Sequence, residues 1–322
     1  MTLFYQRAVL LGAVALSLLK LGEIANDVSS IQISKTWIFR RTTSPTGNDL
    51  GIFTKYGSKR NAVFIMVHGM GNSSLTMAPL GDVLVEDTCN TVIRYDRAGY
   101  GYSSIGTQEP FSISEAIRDL EHIISEVIED HKQVVLIGYS LGGFIAHKYM
   151  EDRDSSDNFS AILIEPTHPQ EAVASPAHRL GLVMSLSAVE QRRSVSYLGG
   201  ELLDRTIGPD RSRYPNDKYA TAIRRERRTW RCLKATNREL KTIINLLLDG
   251  ELLNAPKAIH SVKVITSDDS AKEKNQSDLF RSFTASEESF LLIKDSNHDD
   301  ILMKRKSINE ISSFTVKGMV QT

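Results

Sequence analysis

The sequence has little of what marks a specialised protein. Among its 322 residues are two cysteines, Cys89 and Cys232. They lie far apart and fit no metal-ligand spacing, so a zinc or iron–sulfur module is excluded. Two idle thiols are expected, with a single disulfide as the alternative. Charge of one sign is not in excess: 39 basic and 39 acidic residues give a net charge of zero. Nothing global therefore directs the chain to nucleic acid, and none is expected as a partner. Internal repeats and low-complexity stretches are absent, which excludes a solenoid. What remains, 41% hydrophobic and 24% charged, is the composition of a globular protein. The length suits one large α/β domain with an insertion, or two small domains.

Long apolar runs are scarce as well. Ala8 to Leu19 is the one extended run of apolar or small residues, with Arg7 before it and Lys20 after it. As a helix it would reach about 18 Å, short of the roughly 30 Å hydrocarbon layer of a bilayer. Extending it over Leu3 to Leu21 brings Gln6, Arg7 and Lys20 to the interfaces. An N-terminal apolar helix over 1–25 is expected, associating the chain with a membrane as an uncleaved anchor. A cleaved leader of a secreted protein and an amphipathic helix of a cytoplasmic one are the alternatives.

The most informative segment is Gly138-Tyr139-Ser140-Leu141-Gly142. It follows the apolar run Val134 to Ile137 and opens the amphipathic stretch Leu141 to Met150. Strand, G-x-S-x-G, then helix is the pattern of a nucleophile elbow. So tight a turn needs small neighbours, which Gly138, Gly142 and Gly143 supply. It raises the serine hydroxyl at a helix N-terminus, where free N–H groups and a partial positive charge suit an oxyanion.

Other strands are expected at 36–40, 50–56, 62–67, 91–95, 161–164, 262–266 and 289–293. The continuous apolar run Ala62 to Val67 reads as a strand buried on both faces. Helical patterns at 77–86, 113–129 and 141–151 alternate with the strands, which gives βαβ units and a mostly parallel sheet. The interval from 164 to 262 is too long for one crossover. Helix-like stretches at 179–187, 189–198, 218–234 and 237–248 make it an inserted helical cap. Arg224, Arg228 and Arg231 share a face at helical spacing within it, which reads as a solvated face or, more sharply, as a surface for anionic membrane or acidic substrate.

Four stretches in this order, His68-Gly69-Met70-Gly71, Asp96 to Ser103, Gly138 to Gly143 and Ser296 to Asp299, resemble the α/β-hydrolase superfamily. The likeness is to its capped serine hydrolases with an HG-x-G oxyanion loop, and it covers roughly residues 50–315. The resemblance implies an α/β-hydrolase fold with the core at 36–168 and 255–318 and the helical cap at 169–254. Ser140 would be the nucleophile and His298, on a polar loop after the last strand, its base. Backbone N–H groups of Met70 and Leu141 would hold the oxyanion. The acid is open. Many members place it after the strand at 262–266, giving Asp268 or Asp269, although the usual spacing lands near Ser270. The other known location ends the preceding strand, where Glu165 resembles the glutamate of haloalkane dehalogenases. Asp96 and Arg97 would brace their own loop, and His68 would orient backbone rather than move protons.

The expected activity is cleavage of a carboxylic ester or related acyl bond of a small, apolar molecule, with neither metal nor organic cofactor. A slow or non-catalytic ligand receptor on the same fold and an acyltransferase are the alternatives.

Overall fold

A computed structural model describes residues 36–106, 110–127, 132–151, 158–170, 176–197, 218–248, 257–268 and 276–319, with three isolated helical positions, Gly12, Val14 and Ser17. The expected N-terminal helix over 1–25 otherwise lies outside the described residues. Among the described residues no helix is long and apolar enough to cross a membrane.

Eight strands form one sheet: β1 (Ile38–Thr43), β2 (Asp49–Lys55), β3 (Ala62–Val67), β4 (Thr91–Tyr95), β5 (Gln133–Tyr139), β6 (Phe159–Ile164), β7 (Val262–Ser267) and β8 (Phe290–Ile293). Their order is β1-β2-β4-β3-β5-β6-β7-β8. The β1–β2 and β2–β4 pairings are antiparallel; all others are parallel. The helices are α1 (Ala78–Thr88), α2 (Ile113–Ser125), α3 (Leu141–Glu151), α4 (Pro176–Tyr197), α5 (Lys218–Glu226), α6 (Trp230–Leu248), α7 (Gln276–Arg281) and α8 (Arg305–Met319). Helices α4 to α6 lie in the insertion between β6 and β7.

Side chains on a strand alternate between faces, so the continuous apolar run of β3 feeds two cores. Val63, Ile65 and Val67 join one with Val134, Leu136, Leu163 and Phe144 of α3. Phe64 and Met66 join the other with Val135, Ile137, Leu80 and Leu84 of α1, and Ile308 and Ile311 of α8. Every residue of β3 is buried. Each fully buried side chain of this kind contributes about 2 kcal/mol relative to exposure. That two-faced burial makes the middle of the sheet rigid and fixes the ends of β3 and β5, where the loops carrying His68 and Ser140 begin. Cys89 and Cys232 are both free.

The insertion departs from its expected divisions. Stretches 179–187 and 189–198 are one helix, α4, because Ala188 breaks nothing. The second pair divides at 227–229, not at 235–236. The hydroxyl of Thr229 accepts the N–H of Cys232 at 3.2 Å and starts α6. This local cap competes with helix continuation and wins. Arg224, Arg228 and Arg231 therefore do not share one helical face. Arg227 donates instead to Asn72 Oδ1 at 2.6 Å, and Arg231 Nη2 to the Ser103 carbonyl at 3.4 Å, tying the insertion to the loops of the core.

Candidate active site

Ser140 follows β5 directly and α3 starts at the next residue. Its φ is +52°, in the left-handed region that a non-glycine residue rarely enters. Its N–H donates to the Ile164 carbonyl at 3.0 Å, and its carbonyl accepts from Gly143, Phe144 and Thr167. These bonds hold a conformation that costs about 1–2 kcal/mol. The space around it explains the glycines. A Cβ on Gly138 would lie 2.5 Å from Gly143 Cα, and one on Gly142 would lie 2.1 Å from the Val67 carbonyl oxygen. Neither neighbour is a flexible side chain. Gly142→Ala is therefore expected to destabilise the fold by about 3 kcal/mol; a denaturant midpoint equal to that of the wild type would show that the elbow is looser than this.

Glu165 follows β6 and repeats the device one strand along. Its φ is +48°, and its N–H donates to the Ile265 carbonyl at 2.8 Å. Pro166 follows it, and a residue before proline is pushed out of the right-handed helical region. The carboxylate is buried. Thr266 Oγ1 donates to Oε1 at 3.0 Å, Ser267 N–H donates to the same oxygen, and His298 Nδ1 lies 3.2 Å from Oε2. A carboxylate out of water needs such donors. The Glu165 side chain is 1% exposed and the His298 side chain 47%. One end of the pair is thus desolvated, while the imidazole stays open to an incoming molecule.

His298 sits on the loop after β8. Two contacts fix it from β5, the strand that leads into Ser140: Tyr139 OH donates to the His298 carbonyl at 2.5 Å, and the Tyr139 ring stacks on the imidazole with centroids 5.1 Å apart. The loop also braces itself. Asn297 N–H donates to Asp300 Oδ1 at 2.9 Å, and Ser296 N–H donates to Asp268 Oδ1 at 3.2 Å. Of the sequence candidates, the fold brings Glu165 to His298, and Asp268 to the backbone of the histidine's loop. Asp269 lies outside the described residues. Sequence reasoning missed Tyr139, since nothing marks the variable position of G-x-S-x-G, and missed Thr266 and Ser267, which become neighbours of Glu165 only through β6–β7 pairing.

His68 follows β3 and is buried. Its Nε2 accepts the Arg97 N–H at 2.9 Å, so Nδ1 carries the proton and donates to the Gly69 carbonyl at 2.8 Å. Burial, and then the Arg97 charge, hold its pKa well below the usual histidine value. It is neutral and orients backbone, in agreement with its sequence reading. In a trans peptide the C=O and the next N–H point in opposite directions. Pinning the Gly69 oxygen therefore aims the Met70 N–H the other way. A Cβ on Gly69 would lie 3.0 Å from Ser140 Cβ, so this loop lies against Ser140.

Asp96 braces its loop, accepting from Ser74 N–H and Tyr102 N–H at 2.9 Å each. Arg97 does more than its expected local role. Nε donates to the His68 carbonyl and Nη2 to the Gly69 carbonyl, each at 3.1 Å, and the guanidinium is paired with Glu239 of α6. Asn72 opens the formal glycosylation sequon Asn72-Ser73-Ser74 and is buried, which leaves no room for a glycan there. Its Nδ2 donates to the Met70 carbonyl at 3.2 Å.

His147 and His168 are each packed edge-on against Phe283. His147 Nε2 donates to the Lys257 carbonyl at 2.9 Å. His168 Nδ1 accepts the Gln170 N–H, and its Nε2 donates to Ser282 Oγ at 3.0 Å. Burial lowers both pKa values to about 4, and Glu151 partly offsets the effect at His147. Between pH 4 and about 6.5 the unfolded chain therefore binds more protons than the folded one. Their contribution is complete above pH 6.5 and is lost as pH falls toward 4. Glu226 acts in the opposite sense. Desolvation and Asp96 raise its pKa to about 8, so stability falls as pH rises through 4.5 to 8. The test is thus a comparison: the melting temperature of a His147→Gln/His168→Gln variant should fall less between pH 7 and pH 5 than that of the wild type. Equal slopes would contradict the assignment.

A family model described as the alpha/beta hydrolase family matches residues 64–305, and the chain belongs to that family. Among particular proteins, it is 30% identical to protein phosphatase methylesterase 1 of Debaryomyces hansenii over 122 residues, which are 35% of this chain and 31% of that protein. The chain thus aligns with about a third of that relative's length. The Cif epoxide hydrolase of Acinetobacter nosocomialis superposes with a TM-score of 0.68 at 16% identity, over 94% of this chain and 96% of that one. A carboxylesterase structure from Nitrososphaera gargenis superposes with a TM-score of 0.62 at 17% identity, over 88% of this chain and all of the other (100%). The family match supports hydrolase activity, and the two structural neighbours share the fold. Among the described residues, no group of three or more His, Cys, Asp or Glu side chains could hold a metal ion.

Proposed function

We propose that the protein is a serine hydrolase that cleaves a carboxylic ester or related acyl bond through an acyl-enzyme on Ser140. The observation that carries this reading is the 3.2 Å contact between His298 Nδ1 and the buried Glu165 carboxylate, with the imidazole stacked on Tyr139, the residue before a serine held at a positive φ. With Nδ1–H given to Glu165, Nε2 is the basic nitrogen of the ring. Ser140 Oγ attacks the carbonyl carbon as its proton passes to Nε2. The oxyanion is held by the Met70 and Leu141 N–H groups. Collapse breaks the bond to the leaving alkoxide, which takes the proton from His298. Water then gives a proton to His298, attacks the acyl carbon and releases the acid, and Ser140 regains its hydrogen. Glu165 stabilises the imidazolium in both halves.

The inserted helices would act as the cap that bounds a small apolar substrate, and the 1–25 segment would associate the chain with a membrane. The test of function is a panel of p-nitrophenyl esters of increasing acyl length, with product analysis in the presence of an added alcohol. Free acid is the expected product. Transfer to the alcohol in preference to water would make the protein an acyltransferase. Binding without turnover would favour a receptor. Co-sedimentation of the full chain with vesicles, lost on removal of 1–25, tests the membrane association.

A further inference from the structure

We propose that Glu239, on an inserted helix and remote in sequence from every candidate catalytic group, is a positioning residue for the oxyanion loop. The inference rests on the acyl-enzyme reading and adds to it a coupling between the insertion and transition-state stabilisation.

Glu239 lies in the middle of α6 and is buried. Its carboxylate takes two partners from the 96–103 loop. Arg97 pairs with it through both terminal nitrogens, Nη2 at 3.0 Å, and Tyr100 OH donates to Oε2 at 2.8 Å. Each partner continues to the oxyanion loop. Arg97 reaches the His68 and Gly69 carbonyls, and Tyr100 OH accepts the Gly71 N–H at 3.2 Å. Backbone polar groups on both sides of Met70 are thus gripped by two side chains, and one carboxylate orients both.

The charges agree with this arrangement. Arg97 is buried, and the charge of Glu239 offsets its desolvation and keeps the guanidinium protonated. An uncharged partner would leave a buried cation that moves to find another acceptor, drawing the His68 and Gly69 carbonyls with it. The Gly69 carbonyl and the Met70 N–H belong to one rigid peptide unit, so tilting one re-aims the other. Oxyanion stabilisation depends on where a donor points, while ground-state binding of an apolar acyl group depends on it little. Displacement of α6 would loosen the same clamp.

The experiment compares Glu239→Gln, Glu239→Asp and Tyr100→Phe with wild type. The readouts are kcat and KM on the best ester of the panel, and affinity for the matching trifluoromethyl ketone, whose serine adduct carries the oxyanion. Glu239→Gln is expected to lower kcat about 30-fold with KM changed less than about threefold, and ketone affinity should fall in proportion to kcat/KM. Glu239→Asp, which keeps the charge, should recover most of the loss. Tyr100→Phe should show a smaller loss of the same kind, and it decides the matter if Glu239→Gln does not fold. Wild-type kinetics in Glu239→Gln, or in Tyr100→Phe where that variant decides, would overturn the proposal. So would a loss confined to KM, or a fall in kcat without weaker ketone binding. A wild type that turns over no ester fails the underlying reading instead, a distinct result.

Discussion

Ser140→Ala is expected to lower kcat for ester hydrolysis by about four to six orders of magnitude while leaving the fold intact. In the proposed reaction Ser140 Oγ takes part in both bond-making steps, and the hydroxyl next to it in sequence, that of Tyr139, is given to the His298 carbonyl. Residual turnover would come from oxyanion donors acting on bound ester and water. Stability should not fall, because alanine fits the same half-buried position and relief of the φ of +52° needs a glycine rather than a smaller side chain. The kinetic effect should therefore appear with an unchanged denaturation midpoint. A kcat within tenfold of wild type would exclude the acyl-enzyme.

Glu165→Gln is expected to lower kcat by about three to four orders of magnitude. The amide keeps the size of the side chain but not its charge. Its nitrogen is a donor, placed where Thr266, Ser267 and His298 all bring donors. The imidazole would lose both the proton arrangement that leaves Nε2 basic and the charge that stabilises its protonated form. Asp268→Asn should by contrast stay within about fivefold of wild type, because an amide oxygen still accepts the Ser296 N–H. The two variants measured on one ester divide the carboxylates. A large loss in Asp268→Asn with little in Glu165→Gln would reverse the roles.

That pair also shows where the sequence stops being legible. Both carboxylates end apolar strands, β6 and β7, and those strands are neighbours, so each arrives at the same edge of the sheet. Order along the chain does not separate them. Their surroundings differ: Glu165 has a positive φ and its carboxylate accepts from Thr266, Ser267 and His298, whereas Asp268 accepts the Ser296 N–H. The strands were legible because burial on both faces demands uninterrupted apolar runs, as in Ala62–Val67. The places of Ser140 and His298 were legible because each follows an apolar strand, β5 or β8. The insertion was not. Its helix boundary rests on one hydroxyl, that of Thr229, and two of its arginines, Arg227 and Arg231, bond loops distant in sequence. The clamp on the Gly69 carbonyl was hidden for the same reason, since Arg97 and Glu239 are 142 residues apart.

The most direct test of the central claim is reaction of the full chain with a fluorophosphonate probe, followed by mass mapping of the adduct. The account predicts a single adduct on Ser140, formed in the wild type, slowed severely in Glu165→Gln and absent in Ser140→Ala. A folded wild type that forms no adduct, or an adduct that persists in Ser140→Ala, would contradict it.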